Sequence, residues 1–143
     1  MTVARILAIK GRDVVTVEPH LTLRDAADTL CRHRIGAVVV SDQSRAVLGI
    51  LSERDIVRAV SSGGASALGD QVSRHMTAKV ITATEEQPIE TTMSVMTESR
   101  IRHLPVLRDG KLAGVISIGD VVKIRLEAIE SEHKALREYI ASA

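Results

Sequence analysis

A chain of 143 residues, 45% hydrophobic and 26% charged, carries enough apolar content for one compact domain or two small ones. With one Cys, one Tyr, no Phe and no Trp, its core must be aliphatic, and the aromatic platforms of single-strand nucleic-acid binders are missing. Nineteen basic against eighteen acidic residues leave a net charge of +1, which gives no electrostatic case for nucleic acid or an acidic membrane. The apolar stretches Ile35 to Val40 and Ala46 to Leu51 fall far short of the roughly 20 residues that a membrane span needs. The opening M-T-V-A-R-I-L-A-I-K lacks the longer apolar segment of a secretory signal, and a single Cys suits a reducing compartment. A soluble, cytoplasmic protein is expected.

In chain order the first strand is expected at Val14–Val17. Leu23, Ala26, Ala27 and Leu30 then recur at i, i+3, i+4 and i+7, one face of a helix that Thr22 and Asp25 start and a left-handed Gly36 should end. Two apolar strands, Ala37–Val40 and Val47–Leu51, flank the polar turn S-D-Q-S-R, and a second helix follows Ser52. The stretch S-S-G-G-A-S-A-L-G (61–69) reads as a flexible linker, because no Gly-Lys-Ser/Thr follows to make it a phosphate loop. The order then repeats. A strand is expected at Val80–Thr82, a helix with Pro88 in its first position followed by Ile89, Met93 and Met96, and strands Leu104–Leu107 and Leu112–Ile116 around R-D-G-K. A final helix should run from Asp120 to about Ile140. The boundaries expected are 1–62 for the first unit, 63–126 for the second and 127–143 for a helical extension.

The repetition is visible in the residues themselves. V-V-T-V at 14–17 returns as V-I-T-A at 80–83, 66 positions on, and the same spacing relates Ile6 to Val72, Arg34-Ile35 to Arg100-Ile101 and Val40 to Val106. One residue is dropped from the turn, after which G-I-L-S-E-R-D-I-V (49–57) aligns with G-V-I-S-I-G-D-V-V (114–122) at a spacing of 65. Units of about 60 residues bury too little surface alone, so the two copies should pack sheet on sheet.

No catalytic pattern emerges. Cys31 adjoins an apolar helix face with no histidine in a local motif to activate it, and is expected as a buried structural thiol. His20, His33, His75, His103 and His133 are scattered without metal-ligand spacing, and two residues separate Gly114 from Ser117 where a nucleophile elbow allows one. The informative signal is the repeated Ser-x-x-Asp, Ser52 with Asp55 and Ser117 with Asp120, each joining a strand to a helix. One reading is a capping box. The other is a ligand site: the N–H groups of a helix start attract an anion, an aspartate accepts hydrogen bonds from two sugar hydroxyls, and Arg54 offers a fork to phosphate oxygens. Capping and binding can coexist, and two equivalent copies shift the weight toward binding.

G-I-L-S-E-R-D-I and G-V-I-S-I-G-D-V, together with R-I-R-H-L-P-V at 100–106 and H-M-T-A-K-V-I-T-A at 75–83, resemble the motifs of tandem cystathionine-β-synthase (CBS) domains over roughly residues 3 to 126. The chain is similar to small stand-alone CBS-pair proteins. The resemblance implies an α+β fold in which two β-α-β-β-α repeats pack with pseudo-twofold symmetry, a Bateman module, followed here by a long C-terminal helix. It also implies two clefts that bind adenine nucleotides such as AMP, ATP or NAD(H). Carried over, Ser52, Asp55, Ser117 and Asp120 would hold ribose and phosphate, with Thr16 and Thr82 at the entering strands. Ile35, Gly36 and Ala37, and His103, Leu104 and Pro105, would embrace the adenine, with Arg54, Arg100, Arg102 and Lys123 as phosphate partners. The copies differ where Glu53-Arg54 becomes Ile118-Gly119, so the second site lacks that arginine. The implied function is a non-catalytic sensor in signal transduction and energy sensing that modulates a partner protein. The alternative is a constitutive scaffold with vestigial clefts.

Beyond Asp120, Val122, Leu126, Ile129, Leu136 and Ile140 follow at alternating spacings of four and three, with His133 interrupting. So narrow an apolar seam needs a cover, either its own module or, preferably, a second copy in a two-fold homodimer.

Overall fold

The computed structural model describes all 143 residues. The elements run α1 (Val3–Lys10), β1 (Thr16–Val17), α2 (Leu23–His33), β2 (Ala37–Ser41), β3 (Val47–Ser52) and α3 (Glu53–Gly63). After a 3-10 turn at Ala65–Gly69 come α4 (Val72–His75), β4 (Ala83–Thr84), α5 (Ile89–Ser99), β5 (His103–Arg108), β6 (Lys111–Ser117) and α6 (Ile118–Ser142). They make a mixed α+β fold with two three-stranded sheets, ordered β1-β2-β3 and β4-β5-β6. Each sheet pairs its first strand parallel and its last antiparallel to the middle one. Val17 lies opposite Val40 in the first sheet and Ala83 opposite Val106 in the second, so the 66-residue repeat is kept in the register itself.

The central strand β2 is buried from Val38 through Ser41, whereas the edge strands β3 and β6 alternate buried with half-buried residues. This is the pattern expected of a middle strand covered on both faces beside edge strands covered on one. Thr22 and Asp25 cap α2 reciprocally, side chain to backbone in both directions, as the sequence predicts.

The helix ends depart from expectation. The left-handed residue closing α2 is Arg34 (φ 55°), not Gly36, and Ile35 N–H donates to Leu30 C=O across the turn. Arg100 closes α5 in the same conformation. Pro88 is the N-cap of α5 and Ile89 its first residue. Cys31 is exposed in the last turn of α2, while its neighbour Leu30 enters the core.

Two aliphatic cores form, and each borrows from the other half of the sequence. Val3, Ile6 and Leu7 of α1 lie in the core with Ala83, Ile89, Met96, Leu104, Val106, Ile116, Val121 and Ile124. Val72 of α4 and Ala67 lie in the core of the first sheet with Val17, Leu23, Leu30, Val38, Val40 and Leu51. Burying a Leu or Ile side chain fully is worth about 1.5–3 kcal/mol, so short helices that could not persist alone are held by the opposite repeat. The stretch expected to be a flexible linker is therefore ordered: α3 extends to Gly63, and the 3-10 turn packs Ala67 into the first core.

The segment after α4 is tied to β3 by two backbone bonds, Ile50 N–H to Thr77 C=O at 3.0 Å and Thr77 N–H to Ile50 C=O at 2.9 Å. Glycine at 49 makes this approach possible, because a Cβ there would lie 2.5 Å from Met76 Sδ and 2.9 Å from the Thr77 carbonyl oxygen. Gly49→Ala is accordingly expected to destabilise the protein by about 1–3 kcal/mol through overpacking against backbone. Chemical denaturation measures this, and an unchanged midpoint would contradict it.

Candidate functional site

The two strand-to-helix junctions are built alike. Ser52 Oγ accepts the Asp55 N–H at 3.2 Å while Asp55 Oδ2 accepts the Ser52 N–H at 2.8 Å and its hydroxyl at 3.0 Å. At the second junction Ser117 Oγ accepts the Asp120 N–H at 3.1 Å and Asp120 Oδ2 accepts the Ser117 N–H at 2.8 Å. Both Ser-x-x-Asp motifs are therefore complete capping boxes. Capping engages one carboxylate oxygen of Asp55; the other, Oδ1, meets only the exposed Arg58 guanidinium at 3.7 Å.

Beside each junction is a cleft reaching from one repeat to the other. The first, of about 290 Å³, is bounded by Ser52, Glu53, Arg54 and Asp55 at the start of α3, by Thr77, Lys79, Val80 and Ile81 before β4, and by Arg100, Ile101 and Arg102 after α5 with His103 at the start of β5. Gly36, Ala37 and Ile50 complete its wall. Four cations against two carboxylates give it a positive lining. The second cleft, of about 340 Å³, is bounded by Lys10, Asp13, Val14 and Val15, by Arg34 through Val39, by Ile50 and His103, and by Val115 and Ser117.

Of the residues singled out in the sequence, Gly36, Ala37, Ser52, Arg54, Asp55, Arg100, Arg102 and His103 line the first cleft. Ile35, Gly36, Ala37, His103 and Ser117 line the second. Six lie outside both linings. Thr16 is exposed on β1 and Thr82 half-buried just before β4; Leu104 and Pro105 are buried within β5; Lys123 is exposed on α6. Asp120, half-buried in the first turn of α6, is bound to Lys10: Lys10 Nζ donates to Asp120 Oδ2 at 2.6 Å and to the Val115 carbonyl at 2.8 Å. Burial raises the Asp120 carboxyl, but the bonds from Lys10 and Ser117 outweigh it and hold the group below the usual carboxylate range.

Among the other lining residues, the polar Lys10, Asp13, Arg34, Glu53, Thr77 and Lys79 carry no motif of their own that marks them in the sequence. For Arg34 the signal is the repeat, since it stands 66 positions before Arg100 and shares its left-handed conformation.

His103 and Gly36, only 3.9 Å from a Cβ at 36 to the ring Cε1, belong to both clefts, so the wall between them is thin. Burial, followed by the Lys10 ammonium, lowers the His103 pKa; Arg102 adds to this, and Asp120 and Glu53 oppose it. A depressed imidazole pKa means that the unfolded chain takes up the proton first, so stability falls as pH drops through about 6.5, the ordinary histidine value. The wild type is therefore expected to lose more melting temperature than His103→Gln on going from about pH 7.5 to 5.5. Equal losses would remove His103 as the source.

The family model for the CBS domain matches residues 6–62 and again residues 71–127. The chain is 37% identical over 123 residues to the mitochondrial CBS domain-containing protein CBSX3 of Arabidopsis thaliana, covering 83% of this chain and 60% of that one. Among solved structures, the CBS-domain containing protein ATU1752 from Agrobacterium tumefaciens superposes with a TM-score of 0.84 at 50% identity, covering 87% of this chain and 99% of that one. The CBS domain protein PAE2072 from Pyrobaculum aerophilum, solved in complex with AMP, superposes with a TM-score of 0.75 at 28% identity over 84% of this chain and 89% of that one.

Proposed function

The chain belongs to the CBS-domain family, with two such domains in tandem, and from that premise we propose a non-catalytic regulatory module that binds an adenine nucleotide between its repeats and modulates a partner protein. AMP, ATP and NAD(H) are the ligands proposed. The observation that carries the reading is the composition of the first cleft. Both carboxylates, Glu53 and Asp55, come with Ser52 and Arg54 from the first repeat, while three of the four cations, Lys79, Arg100 and Arg102, come from the second. A ligand whose ribose is held by one repeat and whose phosphate is held by the other prefers one arrangement of the two, which is what regulation by binding requires. The AMP seen in the Pyrobaculum relative supports the same ligand class.

In this reading Asp55 Oδ1 takes a ribose hydroxyl, and Arg54, Lys79, Arg100 and Arg102 surround phosphate. The lowered pKa of His103 leaves a neutral imidazole to face the adenine. A cytoplasmic setting goes with the reading, as the exposed Cys31 thiol suits a reducing compartment. A thermal-shift screen tests it: AMP, ATP or NAD(H) at saturating concentration should raise the melting temperature, whereas inosine, guanosine and pyrimidine nucleotides should raise it less. No shift with any adenine nucleotide would leave the scaffold reading.

The homodimer is proposed on the exposed face of α6. Val122, Leu126, Ile129, Leu136 and Ile140 are all exposed along one seam. Antiparallel pairing about His133 sets Glu127, Glu130 and Glu132 against Lys134 and Arg137 of a second copy.

A further inference from the structure

Cations are spread unevenly between the two clefts, and so are their partners. Arg54 in the first turn of α3, Lys79 before β4, and Arg100 and Arg102 after α5 all line the first cleft. None of the four has a carboxylate oxygen within 4.0 Å, although Glu53 and Asp55 line the same cleft. Asp55 is engaged already, by the cap through Oδ2 and by Arg58 at 3.7 Å through Oδ1. The second cleft holds two cations, Lys10 and Arg34, and Lys10 is bound to Asp120 at 2.6 Å. Four unpaired cations on one cleft set up a positive potential that draws in and is relieved by an anion.

A monophosphate brings a charge of roughly −2 and three acceptor oxygens at pH 7. That leaves part of this lining unbalanced, because the four cations stand on three separate segments: α3, the approach to β4 and the approach to β5. Each further phosphate adds charge, and oxygens that suit the fork of an arginine. We infer that the first cleft selects adenine nucleotides by phosphate number, holding the triphosphate tightest, then the diphosphate, then AMP. This rests on the nucleotide-binding reading above and names the member of that ligand class which the cleft prefers.

Titration of the full chain with AMP, ADP and ATP without divalent cations, followed at the backbone amides of Ser52–Asp55, reads this cleft. ATP is expected to bind at least about tenfold more tightly than AMP, with ADP between them. The advantage should shrink as ionic strength rises from about 0.05 to 0.5 M, because all four cations are exposed and their contacts are screened. Lys79→Gln combined with Arg102→Gln removes two cations that hold no ion pair, so the melting temperature should stay while ATP falls to within about threefold of AMP. AMP as tight as ATP in the wild type, or an ATP advantage unchanged by both salt and the double substitution, would overturn the inference while leaving the nucleotide reading intact. No binding of any adenine nucleotide by the wild type would overturn the nucleotide reading and this inference with it.

Discussion

Asp55→Ala is expected to weaken adenine-nucleotide binding at the first cleft by roughly ten- to hundredfold, because a hydrogen bond to a charged group is worth about 1.5–3 kcal/mol. The same substitution removes the capping bond from Ser52 N–H to Asp55 Oδ2, which costs on the order of 1 kcal/mol of stability. Both losses are expected together, since one oxygen serves the cap while the other is left out of it in a residue that lines the cleft. Arg54→Ala separates them: the side chain lines the cleft and takes no part in the cap, so affinity should fall while the melting temperature stays. Asp120→Ala should spare the first cleft. Calorimetry beside thermal melts of the three variants measures each effect, and wild-type affinity in Asp55→Ala with a lowered melting point would reduce the motif to a helix cap.

Truncation after Leu126 is expected to convert a dimer into a monomer, halving the mass per particle in light scattering. The cut leaves Val121 and Ile124, the residues of α6 that enter the second core, and removes Ile129, Leu136 and Ile140 of the exposed seam. The module should therefore stay folded as it loses its partner. A wild-type chain that scatters as a monomer, or a truncated one that keeps the dimer mass, would take the seam out of the assembly.

What could be read from the sequence is what local physics determines. The helix over Leu23–His33 announces itself by apolar spacing and a capping pair three residues apart, and the junction motifs at Ser52 and Ser117 are local in the same way. The strands around 37–52 and 103–117 carry their own apolar runs. By contrast, α1 and α4 are short helices stabilised by core residues from the other repeat, and nothing near them in the chain signals that surface. The 3-10 turn at Ala65–Gly69 reads as linker because its glycines and serines are linker residues; burial of Ala67 fixes it. Gly36 drew the helix cap on composition, yet the chain turns two residues earlier, at Arg34. Lys10 and Asp120 lie 110 positions apart, so their bond could come only from the fold.

The central claim is that an adenine nucleotide seats between the repeats. For a chain of 15.4 kDa, titration of AMP followed by backbone amide shifts in heteronuclear NMR tests it directly. Saturable shifts are expected at three separate stretches of sequence, Ser52–Asp55, Thr77–Ile81 and Arg100–His103, with one common dissociation constant. Shifts confined to one of these stretches, shifts centred on α6, or no saturable change would contradict it.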